Sequence, residues 1–433
     1  MNRGSDRPCF LAAVLLVALS CTREPAETSP SGASDAILRE RVTRILAQVP
    51  LIDGHNDVPW AYRERVQNDV DAIDFAGDTG ALEKPMHTDL KRLRAGGVGA
   101  QFWSVYIPTT SSGPGAAREV LEQIDFVHRL VGRHPDHLEM ACGADDIERI
   151  HRHGRIASLI GIEGGHSIEN SLAVLRMLHG VGARYMTIAH SRNTDFADSA
   201  TDDQRHGGLT EFGREVIREM NRLGMLVDLS HVAAKTMHDA LDVARAPVIF
   251  SHSSARAITD HPRNVPDDVL RRVKENGGVV MVTFVPPFVN EQARQHYEQR
   301  KKESERLESA HGGDKTAVER DLEQWKKLNP APRATLADVV RHIDHIRALI
   351  GAEHLGIGGD YDGVDATPQG LEDVSKYPDL LVELLRRGYS DSDLRAIAGQ
   401  NLLRVLRSAE QLARNLHRQE PPSHKLLSPL KTE

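Results

Sequence analysis

A (β/α)8 barrel, the TIM-barrel architecture, is the fold class this sequence predicts, and three observations carry it. Six apolar runs, spread over roughly three hundred residues, each end on a side chain of a type that ligates metal ions. Eight strand-like runs alternate with helical stretches, the pattern of parallel strands joined by helices. The polar groups stand at the C-terminal ends of their runs, where barrel enzymes build a site. An open doubly wound sheet would not gather ligands from so many strands at one point.

Residues 36–49 have helical periodicity and lead into the first strand, which runs from Leu51 to the His55-Asn56-Asp57 segment. Residues 98–106 form the second strand and 115–134 the helix behind it. The third strand ends on Glu163 and is followed by a helix over 170–179. The fourth ends on His190. Behind it residues 210–223 place Phe212, Val216, Met220 and Leu223 on one helical face. The fifth strand ends on His231, with a helix near 235–243, and the sixth on His252. Residues 278–284 are a buried-strand run without a polar end, and the eighth strand leads to Asp360. Between those last two, residues 287–332 are strongly charged and read as a solvated helical excursion, with a lid or a dimer contact as the functional alternative. No internal repeat is visible.

The chain has 433 residues, 40% hydrophobic and 27% charged, the composition of a soluble globular protein. A net charge of -8 without a basic stripe excludes nucleic acid as a partner, and 4% aromatic content argues against base-stacking platforms. Arg3 and Arg7 precede an apolar segment over 10–19 that is too short to span a bilayer. Ala18-Leu19-Ser20-Cys21 then resembles a bacterial lipoprotein signal, an ordinary secretory signal being the alternative. The expectations are a signal peptide over 1–21, lipidation of Cys21, a tether over 22–35, a catalytic domain over 36–415 and a flexible tail over 416–433. Such a protein is exported and held at the bacterial cell envelope through its N-terminal lipid. Cys9, Cys21 and Cys142 are the three cysteines, so no disulfide framework holds the fold.

Alternation along a strand puts His55 and Asp57 on one face, within reach of one ion; a structural His bonded to a nearby Asp is the competing reading. Glu163 stands among glycines, and a carboxylate there can bridge two cations about 3.5 to 4 Å apart; a buried Glu–Arg pair is the alternative. His231 and His252 close consecutive strands, each after a serine, and neutral imidazole is a common ligand. Asp360 can take a proton from a metal-activated water and return it to a leaving amine. His190 is read as a donor to a substrate carbonyl or developing oxyanion, a further ligand being the alternative. Arg263 can hold a carboxylate bidentately, or be a surface Arg on a turn.

Several segments, taken together, closely resemble the membrane (renal) dipeptidase family: Ile52-Asp53-Gly54-His55-Asn56-Asp57, Gly161-Ile162-Glu163-Gly164-Gly165, Val227-Asp228-Leu229-Ser230-His231, Phe250-Ser251-His252-Ser253, Arg263-Asn264-Val265-Pro266 and Gly359-Asp360-Tyr361-Asp362-Gly363. The resemblance runs in order over about residues 40–410. It implies a barrel of the metal-dependent amidohydrolase type carrying two zinc ions. One would be held by His55, Asp57 and Glu163 and the other by Glu163, His231 and His252, with Glu163 and a hydroxide as bridges. It also implies that His190 meets the substrate carbonyl, that Arg263 anchors the substrate carboxylate and that Asp360 handles the proton. The family is often dimeric, which makes a homodimer an expectation. Asp195-Phe196 departs from the family's more usual Pro-Trp, which bears on side-chain preference.

The function expected is hydrolysis of dipeptides by a zinc-activated hydroxide. A barrel lactonase, phosphotriesterase or cyclic-amide hydrolase is the rival, but those commonly use His-x-His and a carboxylated Lys. A peptide-binding surface lipoprotein without catalysis is the rival of another class.

Overall fold

Parallel pairing runs round a closed ring. The computed structural model describes residues 30–427. Its strands are β1 (Leu51–Asn56), β2 (Val98–Tyr106), β3 (Leu138–Met140), β4 (Ile156–Glu163), β5 (Ala183–Thr187), β6 (Leu226–Asp228), β7 (Ile249–Phe250), β8 (Val279–Val282) and β9 (Leu355–Ile357). β2 pairs with β1 and β4, the order then runs β4 through β9, and Asp53 opposite Ile357 closes β9 onto β1. The ring is the eight-stranded barrel the alternation predicts. β3 lies outside it: it pairs with the start of β4 at Leu138↔Ile156, too short a run to be legible in the sequence.

The strands are buried on both sides, which is why they read as nearly unbroken apolar runs. All eight residues of β4 are buried, yet they divide by alternation. Ala157 and Leu159 join Ala100, Phe102, Tyr185 and Met281 in one apolar cluster inside the ring, completed by Leu402, Leu403 and Leu406 of the helix Asn401–Gln419. Ile160 and Ile162 belong to a second cluster, packed under the surrounding helices. The helix Glu211–Leu223 shows how those helices are delimited. Thr210 accepts from Gly213 N at its start, Gly224 ends it at φ 76, and Phe212, Val216 and Met220 are buried.

Two boundaries differ from the sequence expectation. The first helix spans Pro30–Gln48, so it takes in the last residues read as a tether. The tail does not begin at 416: the last helix continues to Gln419, with Leu416 buried. Beyond it the chain stays docked, Arg176 donating to Ser423 O at 2.9 Å and Lys425 pairing with Glu211 at 3.2 Å. Among the described residues no helix is long and apolar enough to cross a membrane, and Cys21 lies outside them.

The charged insertion is helical, as its composition predicts. A short turn, Pro286–Val289, leads to the helices Glu291–His311 and Lys315–Leu328. His311 Nε2 meets Asp321 Oδ2 at 2.9 Å across the hairpin, and His296 Nε2 donates to Asn329 O at 2.8 Å near its base. Both ends of the insertion border the barrel mouth.

Candidate metal centre

The seven metal-type side chains named from the sequence converge at the C-terminal ends of the strands. Glu163 is their hub: its Oε1 lies 3.0 Å from His231 Nε2, 3.4 Å from His190 Nε2 and 3.5 Å from both His55 Nε2 and His252 Nε2. Asp57 Oδ2 stands 3.3 Å from His55 Nε2. Three groups of possible ligand atoms, each within 4.8 Å, result: His55, Glu163 and His252; Glu163, His190 and His231; His55, Asp57 and Asp360. By distance alone His190 is not set apart from the other imidazoles.

These residues fit cations. Two ligands on a tetrahedral zinc, with bonds of about 2.0–2.2 Å, stand roughly 3.3–3.6 Å apart, close to the spacing around Glu163. The Nε2 of buried His55 has no hydrogen-bond partner. Its tautomer follows from its other nitrogen. The Tyr185 hydroxyl donates its one proton to Gly54 O at 3.2 Å and so accepts from His55 Nδ1 at 3.0 Å, which makes Nε2 the atom that meets a cation; against the lowering by burial, Tyr185, Glu163 and Asp57 raise the ring's affinity for a proton at that position well above the ordinary imidazole value. His252 is set in the same way: Ser251 Oγ donates to Asp228 Oδ2 at 2.7 Å and accepts from His252 Nδ1 at 2.8 Å. His252 Nε2 then faces His231 Nε2 at 2.8 Å, a separation that calls for a proton or cation between them.

Below the ligands lie two buried carboxylates. Asp228 also accepts from the amides of Ser230 and Ser251, which precede His231 and His252. Asp53 accepts from the amides of His55 and Gly359 and, at 2.6 Å, from the Tyr377 hydroxyl. One acid thus fixes the ends of β6 and β7, and the other those of β1 and β9. Tyr185, Ser251, Asp228 and Asp53 lie within the apolar strand runs, and none of them carries a role of its own among the expectations from the sequence.

Burial pushes the Glu163 carboxyl up, but His55 and His190 beside it outweigh that and hold it well below the usual carboxylate range. Burial, with Arg263 or His55 nearby, holds His231 and His252 well below the ordinary imidazole value, which favours the neutral ring that a metal ion would need. Asp360 goes the other way, raised by burial and then by Asp57 and Glu163 against the lowering by His55. His231 and Asp360 both take left-handed backbone, φ 69 and 60, an unusual and strained state for non-glycine residues that here aims them at the centre. Gly363 allows the approach from β9, since a Cβ there would stand 2.2 Å from Asp57 Oδ2.

A cavity of about 890 Å³ opens over the centre. Arg263 lines it, although the sequence left it open as a surface turn residue; it is 3% exposed and its Nε has no partner. Its remaining bonds are long, 3.5 Å to Ser253 Oγ and 3.4 Å to His252 O, and Phe288 covers it at 5.3 Å from the ring centroid. A buried guanidinium so poorly satisfied is ready to take an anion. Trp60 and Tyr106, stacked edge to face at 4.9 Å, form another wall that the sequence did not single out. Asp195 and Phe196 do not line the cavity: Phe196 is buried against Phe212, and Asp195 accepts from Asn170 at 2.9 Å. The Asp362 side chain, in the loop after β9, is buried and accepts from His87 N at 2.8 Å.

Comparison with known proteins agrees with this geometry. The membrane dipeptidase family (Peptidase family M19) matches residues 39–420. Dipeptidase 3 of Rattus norvegicus is 41% identical over 393 residues, covering 90% of this chain and 71% of the rat protein. An uncharacterized dipeptidase of Schizosaccharomyces pombe is 43% identical over 394 residues, covering 87% of this chain and 85% of the yeast protein. Among solved structures, the probable dipeptidase PvdM from Pseudomonas aeruginosa gives a TM-score of 0.73 at 21% identity, over 87% of this chain and 100% of that one. A metallo peptidase from Rhodobacter sphaeroides, liganded with a phosphinate mimic of the dipeptide L-Ala-D-Ala, gives 0.67 at 24% identity, over 84% and 99%. These two likenesses show the fold.

Proposed function

Because this chain belongs to the membrane dipeptidase family and is a metal-dependent dipeptidase, we propose that it works with two zinc ions, held by His55, Asp57 and Glu163 and by Glu163, His231 and His252. The observation that carries this is the convergence of four imidazole nitrogens on one Glu163 oxygen at 3.0–3.5 Å. When bound, the ions supply Lewis acidity toward a carbonyl and a water made nucleophilic at neutral pH.

The protein's own groups do the rest. Arg263 takes the free carboxylate of a short peptide through donors that have no other strong partner. That favours dipeptides over proteins, whose carboxylates lie far from most of their peptide bonds. His190, on the cavity wall with Nε2 toward Glu163, donates to the carbonyl oxygen as negative charge develops there. Asp360 takes the proton of the attacking water on its carboxylate and passes it to the leaving amine; burial, with Asp57 and Glu163 beside it, raises its affinity for that proton in the first transfer. Tyr106, at 4.8 Å between ring centroids, steadies the His190 ring.

Purified protein, assayed on L,L- and L,D-dipeptides with metal content measured alongside, tests the reading. Bound metal without turnover of any dipeptide would leave a binding protein instead. Arg263→Ala should raise KM by roughly two orders of magnitude, as expected for a lost buried ion pair, and an unchanged KM would remove its role. Asp360→Asn should lower kcat by about 10²–10⁴ with zinc content intact; full activity would remove its acid–base role. At the N-terminus, lipidation of Cys21 remains part of the proposal, on Ala18-Leu19-Ser20-Cys21. In a bacterial host, palmitate labelling of the wild type and none of Cys21→Ser is the result expected.

A further inference from the structure

We propose that the outer part of the cavity is a subsite for an anionic side chain, so that dipeptides carrying a side-chain carboxylate are favoured substrates. The inference rests on the dipeptidase reading of the metal centre and adds a substrate class to it. At about 890 Å³ the cavity is near the upper end of the roughly 300–1,000 Å³ usual for small-molecule sites. Arg263 and the Glu163 cluster occupy its inner wall, and the outer wall comes from the insertion.

The helix Glu291–His311 turns one face inward. Ala293, His296, Tyr297 and Arg300 line the cavity at the i, i+3, i+4, i+7 spacing of a single helical stripe. Elsewhere on that helix Arg294 pairs with Glu291 and Glu298, Lys301 with Glu305 and Arg306 with Glu303, while Lys302 has no such pair among the described residues but does not line the cavity. Arg300 stands apart. It has no carboxylate within 4.0 Å among the described residues, and its guanidinium lies over the Tyr297 ring at 5.4 Å from the centroid, half-buried on the cavity wall.

Arg333 lines the same cavity and likewise has no carboxylate partner among the described residues. His296 ties the two segments together through Asn329 O at 2.8 Å. The cavity's outer carboxylates, Asp365 and Glu372, come from the segment after Asp360, where Glu372 is held to its own loop by Gly370 N at 2.7 Å. Arg300 and Arg333 therefore line the cavity with no carboxylate within 4.0 Å among the described residues. A planar guanidinium braced on an aromatic face is suited to a carboxylate, which it can grip through two parallel bonds. A dipeptide held by its own carboxylate at Arg263 would need a second anionic group to use these cations.

The test compares isosteric pairs on the zinc-loaded enzyme: Glu-Ala against Gln-Ala, and Ala-Glu against Ala-Gln. In one pair kcat/KM should favour the acidic member by about tenfold, the scale of one or two partly exposed ion pairs. The ratio should fall toward one in the Arg300→Gln/Arg333→Gln double variant and in high salt, with the thermal midpoint reporting that the variant is folded. A ratio near one in both pairs for the wild type, or one that survives the double substitution, overturns the subsite. Failure to cleave any of the four peptides overturns the dipeptidase reading itself, and the subsite with it.

Discussion

The Tyr185 hydroxyl has one proton and two neighbours, Gly54 O and His55 Nδ1, and that count decides which nitrogen of His55 faces the cations. Tyr185→Phe removes the acceptor and frees the ring to flip or change tautomer. Zinc affinity at the site of His55 should fall about 10–100-fold, as for other lost partners of ligating histidines, while the second zinc keeps its affinity. Competition with a chelator reads this as one weakened step of two, and two unchanged steps would remove the role. Neither Tyr185 nor Asp228 announces itself in the sequence. Inside Tyr185-Met186-Thr187-Ile188 an aromatic reads as core, which it also is, and only the closed barrel shows its hydroxyl beside a residue 130 positions away. His55, Asp57, Glu163, His231 and His252 are legible because a polar group ending a doubly buried strand needs a partner that the apolar run cannot supply.

At the level of elements, the loop that carries Arg263 is pinned by the helix Leu336–Ile350. His342 Nδ1 accepts from Ala255 N at 3.1 Å, and its Nε2–H donates to Val289 O at 3.1 Å, at the root of the insertion. Those bonds need a neutral ring, and burial holds His342 down at about 4 against an ordinary 6.5. A folded-state value below the unfolded one means that unfolding takes up a proton at acidic pH. The stability is therefore present above about pH 6.5 and is lost as pH falls toward 4, by up to about 3 kcal/mol. His342→Gln can keep both bonds without titrating, so its stability should fall less steeply than the wild type's between pH 6.5 and 4. Parallel denaturation midpoints across that window would refute the linkage. The insertion also marks the limit of sequence reading for elements. Its helices follow from composition, but its inward face does not, because Ala293, His296, Tyr297 and Arg300 form no apolar stripe by which a buried side is recognised.

For the whole molecule, the proposed ligands come from β1, β4, β6 and β7 and their following turns, so bound cations would tie these strands together. Stripping the metal should leave Glu163 and the buried imidazoles facing one another, lower the thermal midpoint, and give recovery on adding zinc. Ligand binding of this kind stabilises by about 4 kcal/mol when free zinc exceeds its Kd a thousandfold. An identical midpoint with and without chelator would show that the centre forms without contributing to stability. The barrel as a class was legible, because eight runs alternating with helices admit few topologies. The docked tail and β3 were not, being held by Arg176, Lys425 and a three-residue pairing that no periodicity records.

Closure of the ring by Asp53 opposite Ile357 also has a consequence in time. As the chain is synthesised, β1 is among the first strands made, and one of its edges stays open until β9 emerges some three hundred residues later. His55 and Asp57 wait as long for Asp360. Until then the nascent chain carries its metal-type side chains on a ring with an unpaired strand, a state open to wrong metals and wrong partners. The ring that orients those side chains therefore closes late, once the chain is complete through β9.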